Sequence, residues 1–170
     1  MTLTRDTAPD HVKGTDERYT PHWIVDRCGV IGLDPCAPAH NPTGALVHYT
    51  KADNGLAQPW RPSQGCVWVN PPYSTGQVSI WADKIQDEYC SGCHPIYALT
   101  SGDFTTKWWP RLYLVADACV LLSSRVPYIY PGEDTPRPGS NFGNVIWGYT
   151  HDTAEFFSRF GDLGYPLKLR

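Results

Sequence analysis

The most restrictive feature of this sequence is the turn Asn70-Pro71-Pro72-Tyr73, which directly follows the apolar run at residues 66–69. Neither proline carries a backbone N–H group for a sheet ladder, and the residue before a proline is disfavoured in the helical region. The apolar run is therefore predicted to be a strand that ends at Asn70. Asn70 and Tyr73 are then held on a stiff, extended turn.

Apolar runs alternate with amphipathic stretches along the rest of the chain. Thr20 is placed to cap a first helix, with Pro21 at its first position and Gly29 at its end. Further helices are predicted after the proline turn, over residues 104–117 with a break at Pro110, and near the C-terminus. Strands are predicted within residues 30–35, 45–50, 66–70, 95–100, 118–124 and 144–150. This pattern predicts an α/β fold with a mostly parallel sheet and helices on both faces.

Composition bounds the class of protein. The 170 residues, 41% of them hydrophobic, suit one domain, and the net charge of −3 excludes a generally basic nucleic-acid coat. We predict a polar, disordered leader over residues 1–17 and one domain over residues 18–170. Neither a signal peptide nor an apolar stretch of the roughly 20 residues that span a bilayer is evident. We therefore expect a cytoplasmic protein with no membrane partner and with six free cysteines.

Cys90, Cys93 and His94 have the spacing of half a zinc site or of a haem-attachment motif. Haem attachment requires export, and a four-ligand zinc site requires a second ligand pair that the scattered remaining cysteines do not supply. We therefore predict no metal, and interpret the segment as a helix end with Gly92 in the turn. A zinc site is the minor alternative.

Polar residues follow several predicted strands where each one ends. Asp34, Asp53, Asn70 and residues 101–103 all occupy such positions. Ligands in open α/β sheets bind beyond the carboxyl ends of the strands, so these residues are expected to converge on one edge.

The Asn-Pro-Pro-Tyr turn has a specific chemical use. The side-chain oxygen of Asn70 and the carbonyl of Pro71 are both acceptors, and together they can hold the two hydrogens of an exocyclic amino group. The Tyr73 ring can stack on the heterocycle that bears this amine. The nitrogen lone pair then points toward an electrophile. A tight turn with a surface tyrosine is the structural alternative.

The ordered segments "YTP", "LDPCA", "YTKADNGLAQPW", "WVNPPYS" and "ALTSGDFTTKWW" resemble the phage Dam-type DNA N-6-adenine methyltransferase family. The resemblance runs from about Tyr19 to Trp147. It implies a single-domain, Rossmann-like S-adenosylmethionine methyltransferase fold. It also implies methyl transfer from S-adenosylmethionine to adenine N6 in DNA, with the target base flipped out. A phage- or prophage-encoded enzyme of this family would act in the cytoplasm of a bacterial host.

The resemblance also implies roles for particular residues. The catalytic group would be Asn70, Pro71, Pro72 and Tyr73, with Tyr73, Ser74, Lys107 and Arg125 on the substrate. The cofactor would be bound by Tyr19, Thr20, Pro21, Asp34, Pro35, Cys36, Asp53 and Asn70. Asp53 would meet the adenine or ribose of the cofactor, although the usual glycine-rich turn after the first strand is absent. The ribose contact is therefore unassigned.

Three alternatives stay open from the sequence. Glutamine N5-methyltransferases that act on proteins share the Asn-Pro-Pro-Tyr motif, and an RNA or nucleotide adenine methylase would use the same chemistry. A nucleic-acid-binding module that has lost catalysis is the alternative outside the enzymes. The target DNA sequence and the oligomeric state, a homodimer included, are also open. Lys107, Arg111, Arg125 and Arg137 are candidate phosphate contacts, and the long loop over residues 127–143 is expected to lie against the substrate.

Overall fold

The computed structural model describes residues 17–74, 76–137 and 139–170. In this part of the chain, strands and helices alternate for most of its length. The strands are β1 (Ile31–Asp34), β2 (Val47–His48), β3 (Cys66–Val69), β4 (Ile96–Ser101), β5 (Ala118–Leu122), β6 (Asn144–Tyr149) and β7 (Gly164–Lys168). The helices are α1 (His22–Val25), α2 (Gln77–Cys90), α3 (Trp109–Tyr113) and α4 (Thr153–Phe160). Short 3-10 turns follow α1 and α4 at Asp26–Cys28 and Gly161–Leu163.

These strands form one seven-stranded sheet in the order β2-β1-β3-β4-β6-β5-β7. β2, β1, β3 and β4 pair with their neighbours in parallel. β6 is antiparallel to both β4 and β5, and β7 is antiparallel to β5. Strands β1 to β5 therefore point the same way, and the sheet is mixed. The predicted α/β class is confirmed, but the expectation of a mostly parallel sheet is not: three of the six strand pairings among the described residues are antiparallel.

Helices cover both faces of the sheet, as predicted. Alternate side chains of each strand point to opposite faces, and the central strands carry apolar side chains on both. On one face, α2 packs Trp81 and Ile85 in the same core cluster as Val67 of β3. On the other face, α1 and α4 bring Ile24 and Phe156 to the cluster that contains Trp68 of β3. All four residues of β3 are buried, which explains its uninterrupted apolar sequence.

The predicted start of the first helix is wrong by one residue. Pro21 is the N-cap and α1 begins at His22, so Pro21 is not the first helical residue. The Thr20 side chain does not cap the helix; its hydroxyl is buried and has no hydrogen-bond partner among the described residues. Gly29 ends the following 3-10 turn with a φ of 69°, as expected.

Two other expectations need correction, and one strand was missed. The strand predicted within residues 45–50 is reduced to the two residues of β2. Residues 104–117 are mostly turns, and Pro110 lies in the first turn of the short helix α3, where it needs no N–H partner and breaks nothing. The edge strand β7 was not predicted; its sequence, "GYPLK", contains a proline, which is unfavourable inside a strand.

The cysteine-histidine segment forms the predicted helix end: α2 stops at Cys90, and Gly92 adopts a φ of 91°. Cys93 is buried, whereas Cys90 is exposed. All six cysteines carry free thiols. Among the described residues, no cluster of three or more histidine, cysteine, aspartate or glutamate side chains could hold a metal ion.

The leader predicted over residues 1–17 lies outside the described residues except for Glu17, which accepts a hydrogen bond from the Tyr19 hydroxyl at 2.9 Å. Within the described ranges, no helix is both long enough and apolar enough to cross a membrane.

Phe156 on α4 tests how the second face is packed. Its side chain is fully buried against Tyr97 and Phe160, with ring centroids 5.7 and 5.3 Å away. Phe156→Ala is expected to lower the free energy of unfolding by about 3–5 kcal/mol, because the cavity cannot collapse around a rigid sheet. Urea unfolding measures this loss. Phe157→Ala on the same helix is the matched control: Phe157 is only half-buried, so a loss of about 1 kcal/mol is expected. Equal losses in the two variants would contradict this packing.

Candidate active site

A cavity of about 880 Å³ opens at the carboxyl ends of β1 and β3. These strands are parallel neighbours, so Asp34, the last residue of β1, and Asn70, which follows β3, lie at the same edge of the sheet. The remaining walls come from residues 17–20, the loop after β1, the turn around residues 50–56 and the start of α2. Its volume is typical of cavities that hold a small molecule of drug or cofactor size.

Asp34 places a buried carboxylate in the cavity wall. Only 4% of the residue is exposed. One carboxylate oxygen accepts a hydrogen bond from the Cys36 N–H at 3.1 Å, and the other accepts from the Thr43 hydroxyl at 2.9 Å. Burial raises the pKa of Asp34 from 3.8 to about 6, and these two hydrogen bonds oppose the rise. The group is therefore ionised at neutral pH in a place that suits a cationic ligand.

Two close contacts join the loops around the cavity. The Cys36 thiol donates to the Asn70 carbonyl at 3.4 Å, which links the ends of β1 and β3. Gly55 brings the turn at residues 50–56 against Pro35: a Cβ atom at Gly55 would lie 1.9 Å from the Pro35 carbonyl oxygen. Only glycine allows this approach of two backbones.

The side-chain amide of Asn70 is held at both ends. Its Nδ2 donates to the Arg18 carbonyl at 2.6 Å, and its Oδ1 accepts from the Tyr73 hydroxyl at 3.2 Å. The Nδ2 contact fixes which end of the amide is the acceptor. A carbonyl-type oxygen accepts two hydrogen bonds, so Oδ1 retains capacity for a further donor.

The Tyr73 hydroxyl belongs to a buried network behind the turn. It lies 2.8 Å from the Tyr128 hydroxyl, which accepts from Asn144 Nδ2 at 2.9 Å. Since Tyr128 receives that hydrogen, its own hydrogen is free to go to Tyr73, and Tyr73 donates to Asn70 Oδ1 or to the Leu99 carbonyl. Burial and the neighbouring Tyr128 raise the pKa of Tyr73 well above its usual range. Tyr73 is therefore a neutral hydrogen-bond donor.

Three buried polar atoms at the cavity have no hydrogen-bond partner among the described residues. They are Arg18 Nε, the Thr20 hydroxyl oxygen and the Trp68 indole nitrogen, and all three residues line the cavity. Buried groups of this kind cost free energy unless a ligand or water satisfies them.

The sequence matches the family Dam, DNA N-6-adenine-methyltransferase, over residues 9–156, which is well over half of the chain. The chain belongs to the Dam family. A search of curated proteins gave no match. The family match begins within the stretch that the sequence predicted to be a leader.

Most of the site residues expected from the family resemblance come together in this structure. The cavity is lined by Tyr19, Thr20, Asp34, Pro35, Cys36, Asn70, Pro71, Pro72 and Ser74. Pro21, Asp53, Tyr73, Lys107 and Arg125 are not among the lining residues. Asp34 and Asn70 therefore meet at one cavity, as the predicted convergence on one edge requires. Residues 101–103 lie at the end of β4, whose carboxyl end is at the same edge, but neither they nor Asp53 line this cavity.

Asp53 lies outside the cavity because its own turn uses the carboxylate. It accepts from the Thr50 N–H at 2.8 Å and from the Thr50 hydroxyl at 2.6 Å, and these bonds lower its pKa. The neighbouring residues Thr50, Lys51 and Asn54 line the cavity in its place.

The candidate phosphate contacts differ in their surroundings. Lys107 and Arg125 are exposed. Arg111 pairs with Asp83 of α2 at 2.6 Å, and Arg137 pairs with Glu133 and lies over the Tyr130 ring. Arg111 and Arg137 therefore support local structure in this conformation.

Sequence reasoning missed several residues of the site. Arg18 and Phe142 contact the Tyr73 ring, and Thr43 holds the Asp34 carboxylate. Trp68 and Trp81 reach the cavity from the core. Arg18 adjoins the "YTP" segment, which was the one signal that pointed to it; the others depend on contacts between distant parts of the chain.

Asp34→Asn tests the cost of the buried charge. Between about pH 4 and about pH 6 the folded state binds more protons at Asp34 than the unfolded chain does, so this group's contribution to stability falls as pH rises. The shift to about 6 corresponds to about 3 kcal/mol at most. An amide still accepts from Cys36 and can donate to Thr43, whose hydroxyl then donates to Asn41 Oδ1 at 3.3 Å.

The D34N variant is therefore expected to unfold with a higher free energy than the unmodified chain at about pH 8, and with a similar one at about pH 4. Chemical denaturation at both pH values measures the difference. Asp87→Asn, at an exposed position on α2, is the control, and its difference in unfolding free energy from the unmodified chain should not increase between about pH 4 and about pH 8. If the stability of D34N relative to the unmodified chain fell as the pH rose, the raised pKa of Asp34 would be contradicted.

Proposed function

We propose that this chain transfers the methyl group of S-adenosylmethionine to the N6 amino group of adenine in DNA. The observation that carries the proposal is the shared cavity at the ends of β1 and β3. The Asp34 carboxylate and the Asn70 amide, an anion and an oriented acceptor, belong to its walls. The parallel order β2-β1-β3-β4, with ligand residues at the carboxyl ends, supports a Rossmann-like interpretation of the domain.

The residues of the cavity suit S-adenosylmethionine. The molecule carries two positive centres, an ammonium and a sulfonium, and the ionised Asp34 offers the buried negative charge that would hold a cation. The Thr20 hydroxyl and the Trp68 indole N–H, both without partners among the described residues, would donate to its carboxylate. When bound, S-adenosylmethionine supplies an electrophilic methyl group. Tyr19, Pro35 and Cys36 complete the wall beside Asp34.

Asn70 would hold the target amine. Adenine N6 is a poor nucleophile because its lone pair is conjugated with the ring. Acceptance of its two hydrogens by Asn70 Oδ1 and the Pro71 carbonyl favours a pyramidal nitrogen and stabilises the positive charge that develops on it. The Arg18 carbonyl prevents the amide from turning its donor end toward the amine. Loss of one such preorganised group typically reduces the rate on the order of 100-fold or more.

The Tyr73 ring would stack on the adenine, with Ser74 beside it at the cavity wall. In the structure this ring packs on Phe142, with centroids 5.6 Å apart and planes inclined by 29°. A base in duplex DNA must first leave its stack, which costs a few kcal/mol, and stacking on an aromatic side chain returns about 1–3 kcal/mol.

The DNA backbone would lie along the same edge of the sheet. Lys107 follows β4 and Arg125 follows β5, and both strands run toward this edge. Both side chains are exposed. The loop over residues 127–143 carries Tyr128 and Phe142, which contact Tyr73, so the proposed substrate loop is part of the base site. We place the reaction in the cytoplasm of a bacterial host, as the resemblance to phage enzymes implies.

The reaction is tested with tritiated S-adenosylmethionine and unmethylated DNA, with the label counted in N6-methyladenine. We expect label with the unmodified chain and a loss on the order of 100-fold or more with Asn70→Ala. Gln86→Ala is the matched control, because it removes an amide from α2 outside the cavity. Equal label with N70A and Q86A would contradict the role of Asn70.

The absence of label in DNA would overturn the proposed substrate. If the chain then labelled RNA or a protein glutamine, the same amine chemistry would act on a different substrate. If it bound DNA and methylated none of these, the chain would be a binding module without catalysis.

Cofactor binding is tested separately by calorimetry. Asp34→Asn is expected to weaken binding of S-adenosylmethionine on the order of tenfold or more, because a charged hydrogen-bond partner in a desolvated place is lost. The exposed Asp87→Asn variant should bind as the unmodified chain does. An unchanged affinity in D34N would place the cofactor elsewhere.

A further inference from the structure

The segment at residues 17–20 crosses the face of the Asn-Pro-Pro-Tyr turn. Tyr19 is fixed there by two backbone hydrogen bonds with Ile129: its N–H donates to the Ile129 carbonyl at 2.8 Å, and its carbonyl accepts from the Ile129 N–H at 3.1 Å. The preceding residue, Arg18, is thereby held over the turn.

Arg18 contacts both parts of the proposed base site. The Cζ atom of its guanidinium lies 5.1 Å from the centroid of the Tyr73 ring and 5.3 Å from that of Phe142. Its carbonyl oxygen takes the Asn70 Nδ2 hydrogen at 2.6 Å. A guanidinium is planar and stacks on aromatic faces, as a nucleobase does. Arg18 therefore uses the same rings that the target base would use.

The hydrogen-bond donors of the Arg18 side chain are incompletely satisfied. Its Nε is buried and has no hydrogen-bond partner among the described residues. A buried donor without a partner costs free energy, so the aromatic contacts of the guanidinium are offset by this loss. The side chain is thus poised to be displaced by a ligand that stacks better and leaves no donor unpaired.

We propose that Arg18 occupies the stacking position of the target base in the free protein and leaves it when the base enters. The identity of that base as adenine rests on the proposed function. The Arg18 carbonyl stays on Asn70 and keeps the amide oriented, while the guanidinium moves aside. Entry of the base then requires displacement of the Arg18 guanidinium. The apparent affinity for the base is therefore the intrinsic affinity multiplied by the fraction of protein in which Arg18 has already moved aside.

The test uses the uncharged nucleoside 2′-deoxyadenosine, which avoids any attraction between Arg18 and a phosphate. Its binding to the full chain is followed by NMR through the side-chain amide signals of Asn70. Arg18→Ala is expected to bind the nucleoside about three- to tenfold more tightly than the unmodified chain does, because the competing cation–π contact is gone. Arg18→Gln should show a gain in the same direction and serves as the second variant if R18A does not fold.

Lys168→Ala is the matched control for the loss of one positive charge. Lys168 is exposed on the edge strand β7, and K168A should bind as the unmodified chain does. Equal or weaker binding in both R18A and R18Q would overturn the proposal, as would the absence of nucleoside binding in every variant up to millimolar concentration. The DNA-methylation assay on the unmodified chain is read separately, so failure of the methyltransferase function is distinguished from failure of the Arg18 displacement.

Discussion

The structure of the site depends on the two missing N–H groups of Pro71 and Pro72. They stop the fully buried strand β3 at Val69 and turn the chain out of the sheet beside the end of β1. Because β1 and β3 are parallel neighbours, their carboxyl ends lie at one edge of the sheet. An acidic side chain and an amide, 36 residues apart in the sequence, thereby share one cavity.

The cavity contains buried polar groups that destabilise the fold and that the proposed ligands would satisfy. The Asp34 carboxylate is buried at a cost in free energy, and the Thr20 and Trp68 polar atoms have no partner among the described residues. Functional sites commonly contain such unfavourable groups, because the stability of the rest of the fold holds them in position. Here the buried central strands of the sheet and the two helical layers supply that support.

Much of this architecture follows from local pattern. The apolar runs of β1, β3, β4, β5 and β6 mark strands whose neighbours cover both faces, and the spacing of Val78, Trp81 and Ile85 marks α2. Predictions failed where tertiary contacts compete with local preference. Thr20 has good capping chemistry but lines the cavity instead, and β7 forms only because β5 offers it an edge.

The sequence by itself determined the α/β class, the end of β3 and the amide and acid at strand ends, since proline geometry and hydrophobic period act over a few residues. It also carried the order of segments typical of the Dam family, which the family comparison confirmed. Only the folded structure showed that the Asp53 carboxylate accepts from Thr50 in its own turn instead of lining the cavity, and that Arg18 lies on Tyr73 and Phe142. The Arg18 contact depends on which distant groups compete for the same ring faces, and that competition exists only once the chain is folded.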